Sequence, residues 1–138
     1  MFPSDTKVLV VDDFKTMRSI VKKTLQGMGL TNVTEAEDGK QALAAIRKAA
    51  FEGVPFGCIV SDWNMPNMSG LELLKEVRSD AAFKSLPFVL VTAENEQKQV
   101  IEAAMLGVSN YIVKPFTPLD FQTKMLAVYN KHFGKKAG

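Results

Sequence analysis

Short runs of β-branched and other apolar residues alternate along the chain with longer segments in which apolar positions recur every three or four residues. The first pattern is that of buried strands and the second that of amphipathic helices, and their alternation predicts βαβ units in a parallel sheet covered on both faces. Five units can be read. Lys7 to Val11 ("KVLVV") is a strand stopped by Asp12-Asp13, and Phe14 to about Met28 a helix with Met17, Ile20, Val21, Leu25 and Met28 inward. Gly27 and Gly29 supply its stop. A strand from about Asn32 to Ala36 follows, and Asp38-Gly39 turns into a helix with Ala42, Leu43, Ile46 and Ala49 inward. Cys58 to Ser61 is the third strand, followed by a helix from about Gly70 with Leu73, Leu74 and Val77 inward. Pro87 announces the fourth strand, Phe88 to Val91, because a residue without an N–H suits a strand start. The next helix, about Glu96 to Leu106, has only a partial stripe of Val100, Ile101, Ala104 and Met105. Tyr111 to Val113 form the fifth strand, and Pro118 to His132 the last helix, with Phe121, Met125, Val128 and Tyr129 inward.

Composition narrows this picture without redirecting it. The 138 residues, 46% hydrophobic and 23% charged, suit one domain, residues 1–138, with a real core. A net charge of +2 argues against nucleic-acid or membrane-surface binding and favours protein or small-ion partners. Neither a leader pattern nor an apolar run of spanning length is present, so a cytoplasmic protein is expected. Cys58, the one cysteine, lies in an apolar run and reads as a buried structural thiol.

Parallel strands joined by helices all point the same way, so the residues just after each strand gather along one edge of the sheet. Asp12 and Asp13 follow strand one, Asp62 strand three, Thr92 ends strand four, and Lys114-Pro115 follow strand five. In a doubly wound α/β sheet of flavodoxin-like order 2-1-3-4-5, the (βα)5 arrangement, ligands bind where the order reverses, between strands one and three. Asp12, Asp13 and Asp62 flank that point. Three converging carboxylates repel one another unless a hard cation joins them, and magnesium (Mg2+) takes one or two carboxylates beside waters and substrate oxygens. Asp13 and Asp62 are the expected direct ligands, with Asp12 acting through water and a backbone carbonyl such as that of Asn64 completing the protein's share. Lys114 and Thr92 on the other side leave room for a phosphoryl group between ammonium and metal. Asp62 would then be the nucleophile that forms an acyl phosphate.

These residues, in this order, resemble the receiver domain of two-component response regulators, in its CheY-like chemotaxis form. The resemblance covers nearly the whole chain and is carried by "LVVDDFKTMRSIV", "EAEDG", "VSDWNMPNMSGLELLK", "VTAE" and "YIVKPF". It implies that Asp62 is the phosphoacceptor, Asp12 and Asp13 the acidic magnesium pair, Thr92 the switch hydroxyl, Lys114 the phosphate-binding lysine and Tyr111 the aromatic switch residue. It further implies a cis Lys114-Pro115 bond, and roles for Asn64 and Glu94 in setting how fast the acyl phosphate hydrolyses. The implied partners are a histidine kinase of the chemotaxis type, the flagellar motor switch protein and a phosphatase, with the chain itself a monomer. Catalysis would be limited to its own phosphorylation and dephosphorylation. Two departures stand out. "RKAAFEGVPFG" before strand three is longer than usual, and Glu96-Gln97 stand where chemotaxis versions tend to carry a lysine pair, on the face used by partners.

Plainer readings stand beside these. Asp12-Asp13 taken alone would cap a helix, Thr92 would be a strand-end residue and Tyr111 a strand aromatic. Met65 and Met68 suit loop packing as well as partner contact, Trp63 reads as a partly exposed anchor, and His132 as a charge at a helix end. Three rivals follow: a phosphorelay or adaptor receiver without motor contact, an α/β phosphatase with Asp62 as transient nucleophile, and a flavin-binding electron carrier. Asn64, two residues after Asp62, cannot serve as the general acid that the phosphatase needs, and the flavin carrier needs a phosphate-cradling loop where this chain has carboxylates. The leading expectation is a stand-alone module switched by phosphorylation.

Overall fold

The computed structural model describes residues 1–93 and 97–134, with the backbone alone at 97 and 98. The elements are β1 (Val8–Val11), α1 (Lys15–Gly27), β2 (Val33–Ala36), α2 (Gly39–Phe51), β3 (Cys58–Asp62), α3 (Gly70–Ser79), β4 (Phe88–Thr92), α4 (Gln97–Met105), β5 (Asn110–Val113) and α5 (Pro118–Phe133). The strands form one parallel sheet in the order β2-β1-β3-β4-β5. This is the doubly wound flavodoxin-like arrangement expected from the alternation of patterns.

Side chains of the central strands alternate between two cores, as the two-residue period of a strand requires. Leu9, Val11 and Ile59 pack with Leu43, Ile46, Leu73, Leu74, Val77 and Ala103, which lie on α2, α3 and α4. Val8, Val10, Cys58 and Val60 pack with Val21, Leu25, Phe121, Met125 and Val128 on α1 and α5. Phe2 ties the N-terminal segment to α5 through edge contacts with Tyr129 and Phe133. Ser69 with Glu72 and Thr117 with Asp120 form capping boxes that start α3 and α5, each worth about 1 kcal/mol over an uncapped end.

Several side chains lie elsewhere than the pattern predicts. On α1, Ile20 is 44% exposed and Arg18 is buried in its stead. The Arg18 guanidinium is drawn inward by two partners off its own helix, donating from Nη1 to the Asp12 carbonyl at 2.8 Å and from Nε to Glu35 Oε1 on β2 at 3.0 Å. On α4, Ile101 and Met105 point outward, at 51% and 83% exposed, Ala104 is exposed as well, and Ala103 fills the inward position. Trp63 is 8% exposed rather than a surface anchor, because its ring packs into the α2–α3 core, while its backbone N–H donates to the Val91 carbonyl at 2.9 Å. His132 is not a helix-end charge. The Ser109 hydroxyl oxygen accepts the Phe88 N–H at 3.0 Å and shares a hydrogen bond with His132 Nε2 at 2.6 Å. Burial first, then Arg78 and Lys131, lower the His132 pKa and favour the neutral ring.

Candidate functional site: an acidic crevice facing a lysine

Strand register brings the polar residues together. Val11 is level with Ser61 and Asp62 with Val91, so Asp12 emerges beside Asp62, and Thr92, level with Val113, ends β4 one step further. The Lys114 N–H donates to the Thr92 carbonyl at 2.7 Å, which carries the β5 end across the same edge. The Lys114-Pro115 bond is cis. Asp12, Asp62 and Thr92 are buried at 3%, 7% and 2% exposure.

Each of Asp12, Asp13 and Asp62 offers a carboxylate oxygen, and the three lie within 4.8 Å of one another. Against them stands the Lys114 ammonium, 2.9 Å from Asp62 Oδ1 and 3.9 Å from Asp12 Oδ2. One cation cannot neutralise three carboxylates. Burial, reinforced by Asp62 and Asp13, raises the Asp12 pKa from 3.8 to about 6, although the Phe14 N–H and Lys114 pull the other way. An all-oxygen, anionic donor set with an exposed side at Asp13 suits a hard divalent cation such as magnesium. The plain capping reading of the Asp pair is not what is seen. Asp12 Oδ1 accepts the Phe14 N–H at 2.9 Å, but the N-cap of α1 is Phe14, with no side-chain cap.

The loop after Asp62 returns to the strand end, with the Gly70 N–H donating to the Trp63 carbonyl at 2.8 Å. A Cβ at Gly70 would meet the Asp62 carbonyl oxygen and lie 2.9 Å from Leu90 Cδ2, so only glycine lets α3 start this close to the nucleophile candidate. Asn64 is exposed at the start of this loop, while Met65 and Met68 pack against the α2–α3 core. Tyr111, half-buried on edge strand β5, has the Lys124 ammonium 4.8 Å from its ring centre. Glu94 and Glu96 lie outside the described residues. The longer segment before β3 carries exposed Phe51 and Val54 away from the crevice. Cys58 is fully buried, and desolvation pushes its thiol to about 12.

Pattern reading missed Arg18 and the contact between Asp38 and Asn67. A charged residue interrupting the inward face of α1 was the available signal for the first.

Residues 8–126 match the family model described as the response regulator receiver domain. The chain belongs to that family. This receiver is 46% identical over 125 residues to chemotaxis protein CheY-3 of Vibrio cholerae, spanning 91% of this chain and 92% of that one. It is 45% identical over 125 residues to chemotaxis protein CheY of Pseudomonas aeruginosa, spanning 91% and 97%. Among solved structures, the chemotaxis response regulator CheY4 of Vibrio cholerae superposes with a TM-score of 0.79 at 37% identity, covering 90% of the receiver and 98% of that chain. Among the described residues, no helix of the receiver is long and apolar enough to cross a membrane.

Proposed function

We propose that this receiver is a phosphorylation-switched signalling module that takes a phosphoryl group from the phosphohistidine of a histidine kinase onto Asp62. The observation that carries this reading is the Lys114 ammonium on Asp62 Oδ1 at 2.9 Å, inside a cluster of three carboxylates at the strand ends. An Asp62 oxygen attacks phosphorus, the phosphorus–nitrogen bond of the donor breaks, and the released imidazole leaves neutral or protonated according to the medium. Asp12, Asp13, Asp62 and the Asn64 carbonyl would hold magnesium, which when bound offsets charge on the phosphoryl oxygens. Lys114, already directed at Asp62, supplies the second positive charge, and Thr92 offers its hydroxyl to the same oxygens. Because Asp62 is 7% exposed, water reaches the acyl phosphate only through the open side of the crevice. Asn64, exposed at the start of the β3–α3 loop, would influence that access, and the resemblance to the family gives Glu94 a similar role.

The switch in this reading is a shift between two existing states. Thr92 moves toward the phosphoryl group and Tyr111 turns inward, altering the face built by β4, α4 and β5. Half-burial of Tyr111 beneath the Lys124 ammonium suits a ring that has two places to rest. The two curated relatives, 46% and 45% identical, are both named as chemotaxis proteins. That likeness favours the flagellar motor switch protein as the output partner, with residues 1–138 acting as one monomeric receiver domain in the cytoplasm. Transfer of label from a kinase autophosphorylated with labelled ATP tests the first step. Label should reach the receiver and not Asp62→Asn. Capture on an immobilised N-terminal peptide of the motor switch protein, raised by beryllium fluoride, tests the second. No capture in either state would favour an adaptor or phosphorelay receiver.

A further inference from the structure

The β3–α3 loop is tied to the β2–α2 turn by two adjacent rungs. Asn67 Nδ2 donates to Asp38 Oδ2 at 3.0 Å, and the Gly39 N–H donates to the Met68 carbonyl at 3.2 Å. Asn67 has φ 68°, the only positive value at a non-glycine position among the described residues. Asparagine is among the few residues that enter this region readily. Its amide is thereby aimed at Asp38. That carboxylate is 8% exposed, and its other oxygen caps α2 by accepting the Gln41 N–H at 2.8 Å. Both of its oxygens are therefore occupied, and the two N–H donors, Gln41 first and Asn67 second, hold its pKa below the usual range and keep it charged. At the second rung the two backbones approach so closely that a Cβ on Gly39 would lie 2.7 Å from the Met68 carbonyl oxygen and from its Cβ and Cγ.

These contacts fix the far end of the loop. Its near end is fixed by the Gly70 N–H on the Trp63 carbonyl at 2.8 Å. Asn64, whose carbonyl is the candidate metal ligand, lies between the two anchors, three residues from Asn67. A loop held at both ends presents its backbone groups without an ordering cost when a ligand arrives.

We propose that Asp38 and Asn67 are positioning residues of the phosphorylation site, acting through the loop that carries the Asn64 carbonyl and touching neither metal nor phosphoryl group themselves. This rests on the reading of the crevice as a magnesium-dependent phosphoacceptor site. Partners one layer out from a metal ligand commonly contribute about tenfold or more to affinity.

The test is magnesium titration by calorimetry and by Trp63 fluorescence, on the unaltered receiver, Asn67→Gly and Gly39→Ala. Asn67→Gly removes the amide and keeps the backbone free to adopt φ 68°. It should weaken magnesium binding about tenfold. The phosphorylation rate at saturating magnesium should stay within about twofold, as should the melting temperature in EDTA within about 3 °C. That split marks positioning, since general loss of structure would lower the melting temperature and the saturated rate together. Gly39→Ala breaks the second rung and should weaken magnesium in the same direction; should it fail to fold, Asn67→Gly still decides. Unchanged magnesium affinity in Asn67→Gly, with the unaltered receiver binding normally, overturns the positioning role alone. An unaltered receiver that binds no magnesium overturns both that role and the reading beneath it.

Discussion

Replacing Asp12 by Asn should make the metal-free receiver more stable while impairing its site. The carboxyl is 3% exposed, lies within 4.8 Å of two other carboxylates, and has its nearest cation, Lys114 Nζ, at 3.9 Å. Its pKa is raised from 3.8 to about 6, so the folded state favours the protonated form. Stability from this group is complete below the unfolded value and is lost as pH rises through the folded one. At pH 7 the ionised group therefore costs stability. The difference between the two values corresponds to about 3 kcal/mol at full strength, which water at the open side of the crevice screens to about 1–2 kcal/mol. Asn keeps the acceptor for the Phe14 N–H, seen at 2.9 Å, and removes the charge. For a chain of this size the gain corresponds to about 3–6 °C in melting temperature. The assay is thermal unfolding in EDTA at pH 7, repeated near pH 4.5, where the advantage should shrink because the native carboxyl is then protonated too. Millimolar magnesium should stabilise the native receiver more than the variant. A variant that melts at or below the native temperature at pH 7 in EDTA would refute the claim that the crevice is electrostatically strained.

Three further outcomes follow from the geometry. His132, with its pKa lowered by burial and by Arg78 and Lys131, gives stability that is present above the ordinary value of 6.5 and lost as pH falls through its lower folded value. Melts between pH 5 and 7.5 should show the native receiver losing stability relative to His132→Gln as pH falls, and parallel curves would rule this out. Gly70→Ala should destabilise by about 2 kcal/mol and slow phosphorylation, since its Cβ meets the Asp62 carbonyl, and unchanged denaturant and kinetic curves would contradict that packing. Cys58, fully buried with its thiol pushed to about 12, should react with an aromatic disulfide reagent only as fast as the fold opens, so rapid native-state labelling would show its burial to be wrong.

The site was legible because it is built from strand ends. Runs such as Val8–Val11 and Phe88–Thr92 are buried on both faces, so their composition announces them, and parallel order then forces Asp12, Asp62 and Thr92 onto one edge without any knowledge of side-chain contacts. Edge strand β2 was harder, since Glu35 is exposed and Val33 only half-buried, yet the Asp38-Gly39 turn marked its end. The misplaced residues share a cause. Arg18 goes inward for the Asp12 carbonyl and Glu35, Trp63 for the core formed with α2 and α3, and His132 toward Ser109, and each of these contacts lies outside the residue's own element. Local period cannot register them. On α4, nine residues with few apolar positions left the inward face undetermined, and Ala103 rather than Met105 occupies it. The Asp38–Asn67 contact escaped for a similar reason, joining two turns that pattern reading handles separately.

The most direct test of the central claim is the intact mass of the receiver after incubation with acetyl phosphate and magnesium, beside Asp62→Ala and an EDTA control. The account predicts one added phosphoryl group, labile to hydroxylamine as an acyl phosphate must be, and absent from both controls. An adduct that persists in Asp62→Ala, or no adduct in a receiver that also fails to bind beryllium fluoride, would contradict it.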